Sequence, residues 1–139
     1  MDFTNAVTSK CTSIASMFSY CQSLRGNLIV TGWNTTNVTT MSGTFRECYN
    51  LNAIVGVEDF NLVKCTTLQN AFYSCRSLIQ NEERVLDLSN WFTTQTTPIT
   101  TLENLFKNCS YLKKISIRGI NISTATTVTS AFSQCRSVE

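Results

Sequence analysis

Apolar residues recur along the chain with a period close to 27 residues. Five phenylalanines, at positions 18, 45, 72, 106 and 132, are each followed by Cys three residues later and by Leu or Val six residues later. The intervals between these phenylalanines are 27, 27, 34 and 26 residues. A motif that returns every roughly 20–50 residues predicts repeated units that stack on one another. The predicted repeat core consists of Phe18, Cys21, Phe45, Cys48, Phe72, Cys75, Phe106, Cys109, Phe132 and Cys135.

The segment before each of these phenylalanines predicts a short helix. Four residues earlier the chain has an apolar residue, and six residues earlier it always has Thr, at positions 12, 39, 66, 100 and 126. Thr is a good N-cap because its hydroxyl accepts hydrogen bonds from the first helical N–H groups. Apolar residues at relative positions 0, +4 and +7, such as Leu68, Phe72 and Cys75, then line one helical face. We therefore expect a helix of about two turns in each unit, opened by Thr and closed near the Cys.

After each helix the hydrophobic pattern changes to one typical of strands. The stretches LDL at 86–88 and ISI at 115–117 alternate apolar and polar residues, and NLIV at 27–30 and AIVGV at 53–57 are also strand-like. Each unit is therefore predicted to contain a strand, a turn and a Thr-capped helix. Stacked units would place parallel strands on one side and helices on the other.

The third unit is longer than the others by about seven residues. The additional residues fall in IQNEERV at 79–85 and TTQTTP at 93–98. Insertions in repeat proteins map to one face and are often functional. A tolerated surface loop is the simpler interpretation, and the sequence leaves both open.

The composition argues against several classes of function. Apolar residues make up 42% of the 139 residues, which is enough for a core, whereas charged residues make up 14% and the net charge is +2. This charge is too weak for a nucleic-acid partner, and no stretch approaches the roughly 20 apolar residues of a membrane span. The chain has no His, which removes the commonest general base and metal ligand. We expect no enzyme activity, no cofactor and no metal.

The seven cysteines all occupy core positions of the repeat, and none forms a Cys-x-x-Cys motif. Five follow the repeat phenylalanines, and the other two, Cys11 and Cys65, lie seven residues before them. Buried Cys behaves as a small hydrophobe. Packed helices lie about 8–10 Å apart, farther than the roughly 7 Å limit for Cα atoms in a disulfide. We therefore expect seven reduced, buried thiols and folding in a reducing compartment.

The segment WNTTNVTTMSGTFRECYNL at 33–51 resembles the repeat of BspA-type leucine-rich repeat surface proteins, which contain Trp-Asp-Thr-Ser-Asn-Val-Thr-x-Met followed by Phe-x-x-Cys-x-x-Leu. The segment LDLSNW at 86–91 resembles the strand of that repeat. The resemblance covers nearly the whole chain. It implies an α/β fold, a leucine-rich-repeat-like solenoid of about five strand–helix coils, and a role in adhesion or recognition on bacterial or viral surfaces. It implies no catalytic residues.

Two functions follow from these observations. The first is a non-catalytic recognition or adhesion module that binds a protein or glycan on a host or cell surface, with Trp33 and Trp91 as candidate ligand contacts. Packing of the two indoles at the strand ends is the alternative role for them. The second function is a structural component of a phage particle, such as a fibre or decoration protein, which could also attach to a host. Both place the chain on a cell surface or a virion surface.

The sequences of the two ends predict that the terminal units contact further residues of the same polypeptide or another subunit. Residues 1–139 are expected to form a single solenoid domain that belongs to a longer polypeptide, a homo-oligomer or a larger assembly. Stacked repeats need polar caps, because a terminal unit otherwise exposes its core face and its strand edge. Neither end has the sequence of a cap, and the last repeat stops after Val138 and Glu139. The C-terminal unit is therefore the expected contact.

Overall fold

The computed structural model describes residues 1–138 and shows five stacked repeat units. The units span residues 11–37, 38–64, 65–98, 99–124 and 125–138. Equivalent residues of successive units form single parallel β-bridges, from Ser13 to Thr40, then to Thr67, Thr101 and finally Thr127. This row of bridges continues through all five units, so each unit lies one strand spacing, about 4.8 Å, from the next.

Four short strands form on the side of the molecule that we call the strand side. They are β1 (Gly26–Ile29), β2 (Leu51–Val55), β3 (Val85–Asp87) and β4 (Lys114–Ser116). All four lie within two residues of the strand-like stretches of the sequence. Strand β1 pairs with β2 and β3 pairs with β4, both in parallel, so the strand side contains two separate sheets of two strands.

The predicted helices are absent from residues 1–138, and the strand–helix solenoid is therefore wrong. The only helical element in this range is a single 3₁₀ turn at Val57–Asp59. The segments around the repeat phenylalanines consist of overlapping turns instead. In the second unit, Thr44 N–H donates to Met41 O, Arg46 N–H to Gly43 O, and Cys48 N–H to Phe45 O. We call this part of the stack the turn side.

Left-handed backbone conformations explain why these segments are not helical. Residues two before and two after each repeat phenylalanine have φ between 54° and 66° in every unit. In the second unit they are Gly43 (φ 64°) and Glu47 (φ 58°). A residue with positive φ at the third position of a turn is what type II turns require, and it cannot continue a right-handed helix. The apolar spacing of 0, +4 and +7 therefore arises here from turns repeated every four residues.

The turns leave every second N–H free to bond the next unit. In the second unit, Gly43, Phe45 and Glu47 donate to Gln69 O, Ala71 O and Tyr73 O of the third at 2.7–2.9 Å. The same pattern joins all five units on the turn side. Backbone hydrogen bonds between units thus replace the intrahelical bonds that the sequence predicted.

The threonines expected to be N-caps also bond along the stack. Thr39 directs both its N–H and its hydroxyl to Thr12 O, and Thr66 directs both to Thr39 O. The residue that follows each of these threonines makes a hydrogen bond within its own unit. For example, Thr67 Oγ1 accepts from Gln69 N–H. Thr at this position therefore links neighbouring units, and the residue after it stabilises a turn.

Stacked aromatic rings fill the space between the turn side and the strand side. The ring centroids of successive repeat phenylalanines are 5.8, 5.3, 5.0 and 5.7 Å apart. Phe45, Phe72 and Phe106 are fully buried, whereas Phe132 in the last unit is 53% exposed. The row is continuous, and it loses its cover only where the described units end.

Candidate functional site

Trp33 and Trp91 lie in the core, so neither indole offers a face to a ligand. Trp33 is 7% exposed and Trp91 is 1% exposed. Both rings stack against Phe60, with centroids 6.2 and 6.1 Å away. The indole N–H of Trp91 donates to Val57 O at 2.7 Å, and that of Trp33 donates to Phe3 O at 3.1 Å. Their proposed role as ligand contacts is therefore corrected to packing, because a buried indole with a satisfied N–H is a structural residue.

The cysteines of the repeat form a row beside the phenylalanines. The thiols of Cys48, Cys75, Cys109 and Cys135 each donate to the carbonyl of the repeat phenylalanine in the preceding unit, at 3.0–3.1 Å. Cys48, Cys65, Cys75 and Cys109 are buried, and all seven thiols are free. The expectation of complete burial is wrong for Cys11, Cys21 and Cys135, which are half-buried because they lie in the first and last units.

The spacing of this row also corrects the reason given against disulfides. With turns in place of helices, equivalent cysteines lie one rung of about 4.8 Å apart, which is within the Cα range of a disulfide. The thiols are instead poor nucleophiles. Burial raises the pKa of Cys48 to about 12 and that of Cys65 to about 11, so almost no thiolate forms near neutral pH.

Tyrosine and basic residues converge on the exposed surface of the turn side. All four tyrosines of the chain follow a repeat phenylalanine by one to five residues. Tyr20 and Tyr111 are 53% and 52% exposed. Because the left-handed residues recur at the same place in each unit, side chains at equivalent positions of successive units lie in register. We name this surface the Tyr–Arg face and define it by Tyr20, Arg46, Tyr49, Tyr73, Arg76 and Lys107.

Cations and rings alternate across the Tyr–Arg face. The Arg46 guanidinium carbon lies 5.1 Å from the Tyr20 ring centroid and 5.5 Å from that of Tyr73. Lys107 Nζ lies 5.9 Å from the centroid of the same Tyr73 ring. One row therefore runs through the first four units in the order Tyr, Arg, Tyr, Lys. Each such contact contributes about 0.5–1 kcal/mol at an exposed site, so the row also orders its own side chains.

A second pair lies beside this row and is connected to it. The Arg76 guanidinium carbon is 4.8 Å from the Tyr49 ring centroid. The Tyr49 hydroxyl donates to Glu47 Oε2 at 2.6 Å, and Arg46 Nε lies 3.4 Å from Glu47 Oε1. The hydrogen bond to Glu47 raises the pKa of the Tyr49 phenol. Glu47 thus fixes the positions of an arginine and a tyrosine.

The charge of this surface differs from that of the whole chain. Seven of the eleven Lys and Arg residues lie within eight residues after a repeat phenylalanine: Arg25, Arg46, Arg76, Lys107, Lys113, Lys114 and Arg136. Glu47 and Glu139 are the acidic residues in the same windows. Basic residues therefore outnumber acidic ones in these windows, which extend into β4 at Lys114, so the net charge of +2 is unevenly distributed along the repeat.

A cavity of about 300 Å³ opens on the strand side, where the two sheets separate. Its lining consists of Val55, Glu58, Gln80, Asn81, Val85 and Asp87. The Gln80 side chain takes the place of a neighbouring strand beside β2. Its amide donates to Ile54 O at 3.0 Å and accepts from Ile54 N–H at 3.1 Å. The insertion at 79–85 therefore splits the sheet, and its main contact repairs the edge of β2.

Residues 1–138 contain neither a cluster of metal ligands nor a membrane-spanning helix. No three His, Cys, Asp or Glu side chains in this range are close enough together to hold a metal ion. No helix in the described part of the chain has the length and apolar character needed to cross a membrane.

The Tyr–Arg face was missed from the sequence, although a signal for it exists. Ring and cation positions become visible only when the five repeats are aligned on their phenylalanines. Arg46, Tyr73 and Lys107 then share the position one residue after the phenylalanine, and Tyr20 lies one residue further on. For Trp33 and Trp91, packing at the strand ends, the alternative role given to the two indoles, is the one that the structure shows.

One of the comparisons with known proteins identifies a family for this chain. No curated protein and no solved structure matches the chain. The family model described as "Mycoplasma protein of unknown function, DUF285" matches residues 1–97 and again residues 79–139. The two matches together cover all 139 residues, so the chain belongs to the DUF285 family of Mycoplasma proteins of unknown function.

Proposed function

We propose that this protein is a non-catalytic recognition module, presented on a surface, that binds a protein or glycan through the Tyr–Arg face. The observation that carries the proposal is the continuous row of tyrosine and basic side chains across four stacked units. Tyrosine and arginine are among the residues most enriched at binding hot spots. The rings and cations of this row lie outside the core, which the phenylalanines and tryptophans fill.

The framework under the face supports binding. Successive units are joined directly beneath it by backbone hydrogen bonds, such as Glu47 N–H to Tyr73 O and Ser74 N–H to Lys107 O, both at 2.7 Å. Side chains held on such a rigid ladder lose little further conformational freedom when a ligand binds. Rigid presentation of the same chemistry from several units is typical of repeat proteins that recognise extended ligands.

Nucleophilic catalysis by the thiols is not favoured. A reactive Cys needs a depressed pKa, and burial instead raises the pKa of Cys48, Cys65 and Cys135. The thiols of Cys48, Cys75, Cys109 and Cys135 also donate to backbone carbonyls, and these bonds are structural.

The proposal is tested by removing rings from the face. The chain, Tyr20→Ala/Tyr49→Ala and a control, Thr94→Ala/Thr124→Ala, would be screened on arrays of glycans and of surface proteins. The control residues are exposed and lie outside the face. We expect at least one ligand to bind the chain and the control alike, and the ring variant roughly tenfold more weakly. Equal binding by all three proteins, or no binding by any of them, would contradict the proposal.

A further inference from the structure

We infer that the ligand of the Tyr–Arg face is a polyanionic glycan, one that carries carboxylate or sulfate groups on successive sugars. This inference rests on the proposed function and names the ligand class. Its starting point is charge. Three cations of the face, Arg46, Arg76 and Lys107, are accompanied by one carboxylate, Glu47, which is already engaged by Arg46 and by the Tyr49 hydroxyl. The remaining cationic charge attracts an anionic partner.

The geometry of the rings indicates what kind of anion fits. Tyr73 has Arg46 and Lys107 as neighbours along the row, and Arg46 also lies over Tyr20. Tyr73 therefore has a cation on each side along the direction of stacking, and Tyr20 has one cation over its ring. A single-stranded nucleic acid needs free aromatic faces on which its bases stack. What the face offers to a ligand is phenol hydroxyls, guanidinium N–H groups and an ammonium group, all of which donate hydrogen bonds to anionic oxygens.

The Tyr–Arg face has no large exposed aliphatic anchor, which argues for a glycan over an acidic protein. Protein–protein interfaces have an apolar core, surrounded by a polar rim. Apart from two tyrosines, the large exposed apolar side chains among residues 1–138 are Met1, Val7, Met17, Ile122, Val128, Phe132 and Val138. None of these belongs to the Tyr–Arg face. A ligand rich in hydroxyl and acidic groups requires no such core.

The spacing of the cations suits a linear polymer. Arg46 and Lys107 occupy the same position two units apart, which corresponds to about 10 Å along the stack. Arg76 lies in the unit between them and is offset to one side by three residues of the turn. A chain of sugars lying along the stack would present its acidic groups to these cations in turn, and each added contact would increase the affinity through multivalency.

The test compares anionic probes and uses variants of matched charge. Binding of a heparin oligosaccharide and of a polyuronate would be measured by biolayer interferometry, with dextran, poly-glutamate and oligothymidylate as alternative ligands. The face variant is Arg46→Gln/Arg76→Gln/Lys107→Gln. The control is Lys10→Gln/Lys64→Gln/Arg118→Gln, which removes the same charge from positions outside the windows after the phenylalanines. Thermal melts would verify that both variants fold.

We expect the chain and the control to bind at least one anionic glycan, with affinity that falls as salt rises from about 50 to 200 mM. The face variant should bind roughly tenfold or more weakly, and dextran should not bind. Tighter binding of poly-glutamate or oligothymidylate than of either glycan, with loss in the face variant, would overturn the glycan assignment and leave the proposed face intact. Equal weakening in the face variant and the control would show non-specific charge attraction and overturn the assignment too. No dependence of any ligand on the face variant would overturn both proposals.

Discussion

The turn side and the strand side of this molecule carry the same five repeats but differ in continuity. On the turn side, backbone hydrogen bonds connect every unit to the next, from Ser16 N–H to Ser42 O through to Asn108 N–H to Ser133 O. On the strand side, the parallel ladder is interrupted between β2 and β3. The interruption coincides with the longer interval of 34 residues between Phe72 and Phe106.

The comparison indicates that the turn side determines the architecture of the repeat. An insertion at 79–85 is tolerated because the neighbouring units remain joined through their turns and their aromatic row. The left-handed conformations of the turn side recur in every unit, whereas the strand side accommodates extra length by closing its edge with a side chain. The continuous side is also the one that displays the Tyr–Arg face, so the basic row is not disturbed by the insertion.

The largest expected effect comes from removing a ring from the middle of the turn side. Phe72 is fully buried and stacks on Phe45, Phe106 and Trp91 at 5.0–6.0 Å. Phe72→Ala should lower the free energy of unfolding by about 3–5 kcal/mol, because it leaves a cavity inside the stack. The matched change Phe132→Ala should cost about 1 kcal/mol or less, since that ring is 53% exposed. Urea unfolding of both variants measures the difference, and equal losses would contradict the stacked row.

A smaller effect is expected on the strand side. Gln80→Ala removes both hydrogen bonds to Ile54 and leaves the N–H and C=O of a buried strand residue without their side-chain partner. The expected loss is about 1–3 kcal/mol. Gln22→Ala serves as the control, because Gln22 is exposed and its side chain takes no part in such a bond. If both variants unfold at the same urea concentration, Gln80 does not repair the sheet edge.

Much of this arrangement could be predicted from the sequence. The number of units, their boundaries and the buried phenylalanines follow from the recurrence of Phe, Cys and Leu, because identical spacing implies identical packing. The strands were placed within two residues because β-rich stretches such as LDL at 86–88 alternate in a way that helices do not. The separation into two sheets was not predictable, since the sequence left open whether the insertion at 79–85 is a surface loop, and the amide of Gln80 that closes the edge of β2 carries no recurring signal.

The helices were mispredicted because the apolar spacing of a helix and of repeated four-residue turns is the same. The distinguishing signal lies in the residues between the apolar positions. Gly43, Asn70 and Asn104 all lie two residues before a repeat phenylalanine. Gly and Asn are the residues that adopt positive φ most readily, and both are poor helix formers. At the other left-handed position Glu47 and Tyr20 give no such signal, which is why the pattern is visible only in part.

Replacing Gly43 by Ala distinguishes a helix from the turn structure, because the two predict opposite changes in stability. In a helix, Gly43→Ala would increase stability by about 1 kcal/mol, because Ala is the better helix former. At φ 64° an added Cβ is strained, so the turn structure predicts a loss of about 1 kcal/mol. The new Cβ would also lie 3.4 Å from Ser16 Oγ, which is ordinary contact, so the loss is due to the backbone. Thermal melts of the variant decide between the two, and a stabilised protein would contradict the turns.

The smallest effects concern the thiols. Cys11, Cys21 and Cys135 should react with iodoacetamide in the native state before the four buried thiols do, as followed by mass spectrometry. Burial raises the pKa of Cys48 and Cys65 above the ordinary value of 9.0, to about 12 and about 11. The stability that these protonated thiols contribute is therefore complete below about pH 9 and is lost as the pH rises toward 11–12. Equal labelling rates for all seven cysteines would contradict the row of buried thiols.

Amide hydrogen exchange of the repeat phenylalanines tests the central claim, that turns joined between units build this protein. Phe45, Phe72 and Phe106 donate their N–H groups to the next unit, at 2.9, 2.9 and 2.7 Å. The Phe132 N–H has no acceptor among residues 1–138. The account therefore predicts strong protection of the first three amides and fast exchange at Phe132, read residue by residue by NMR. Comparable protection of all four amides, as intrahelical bonds within each unit would give, would contradict it.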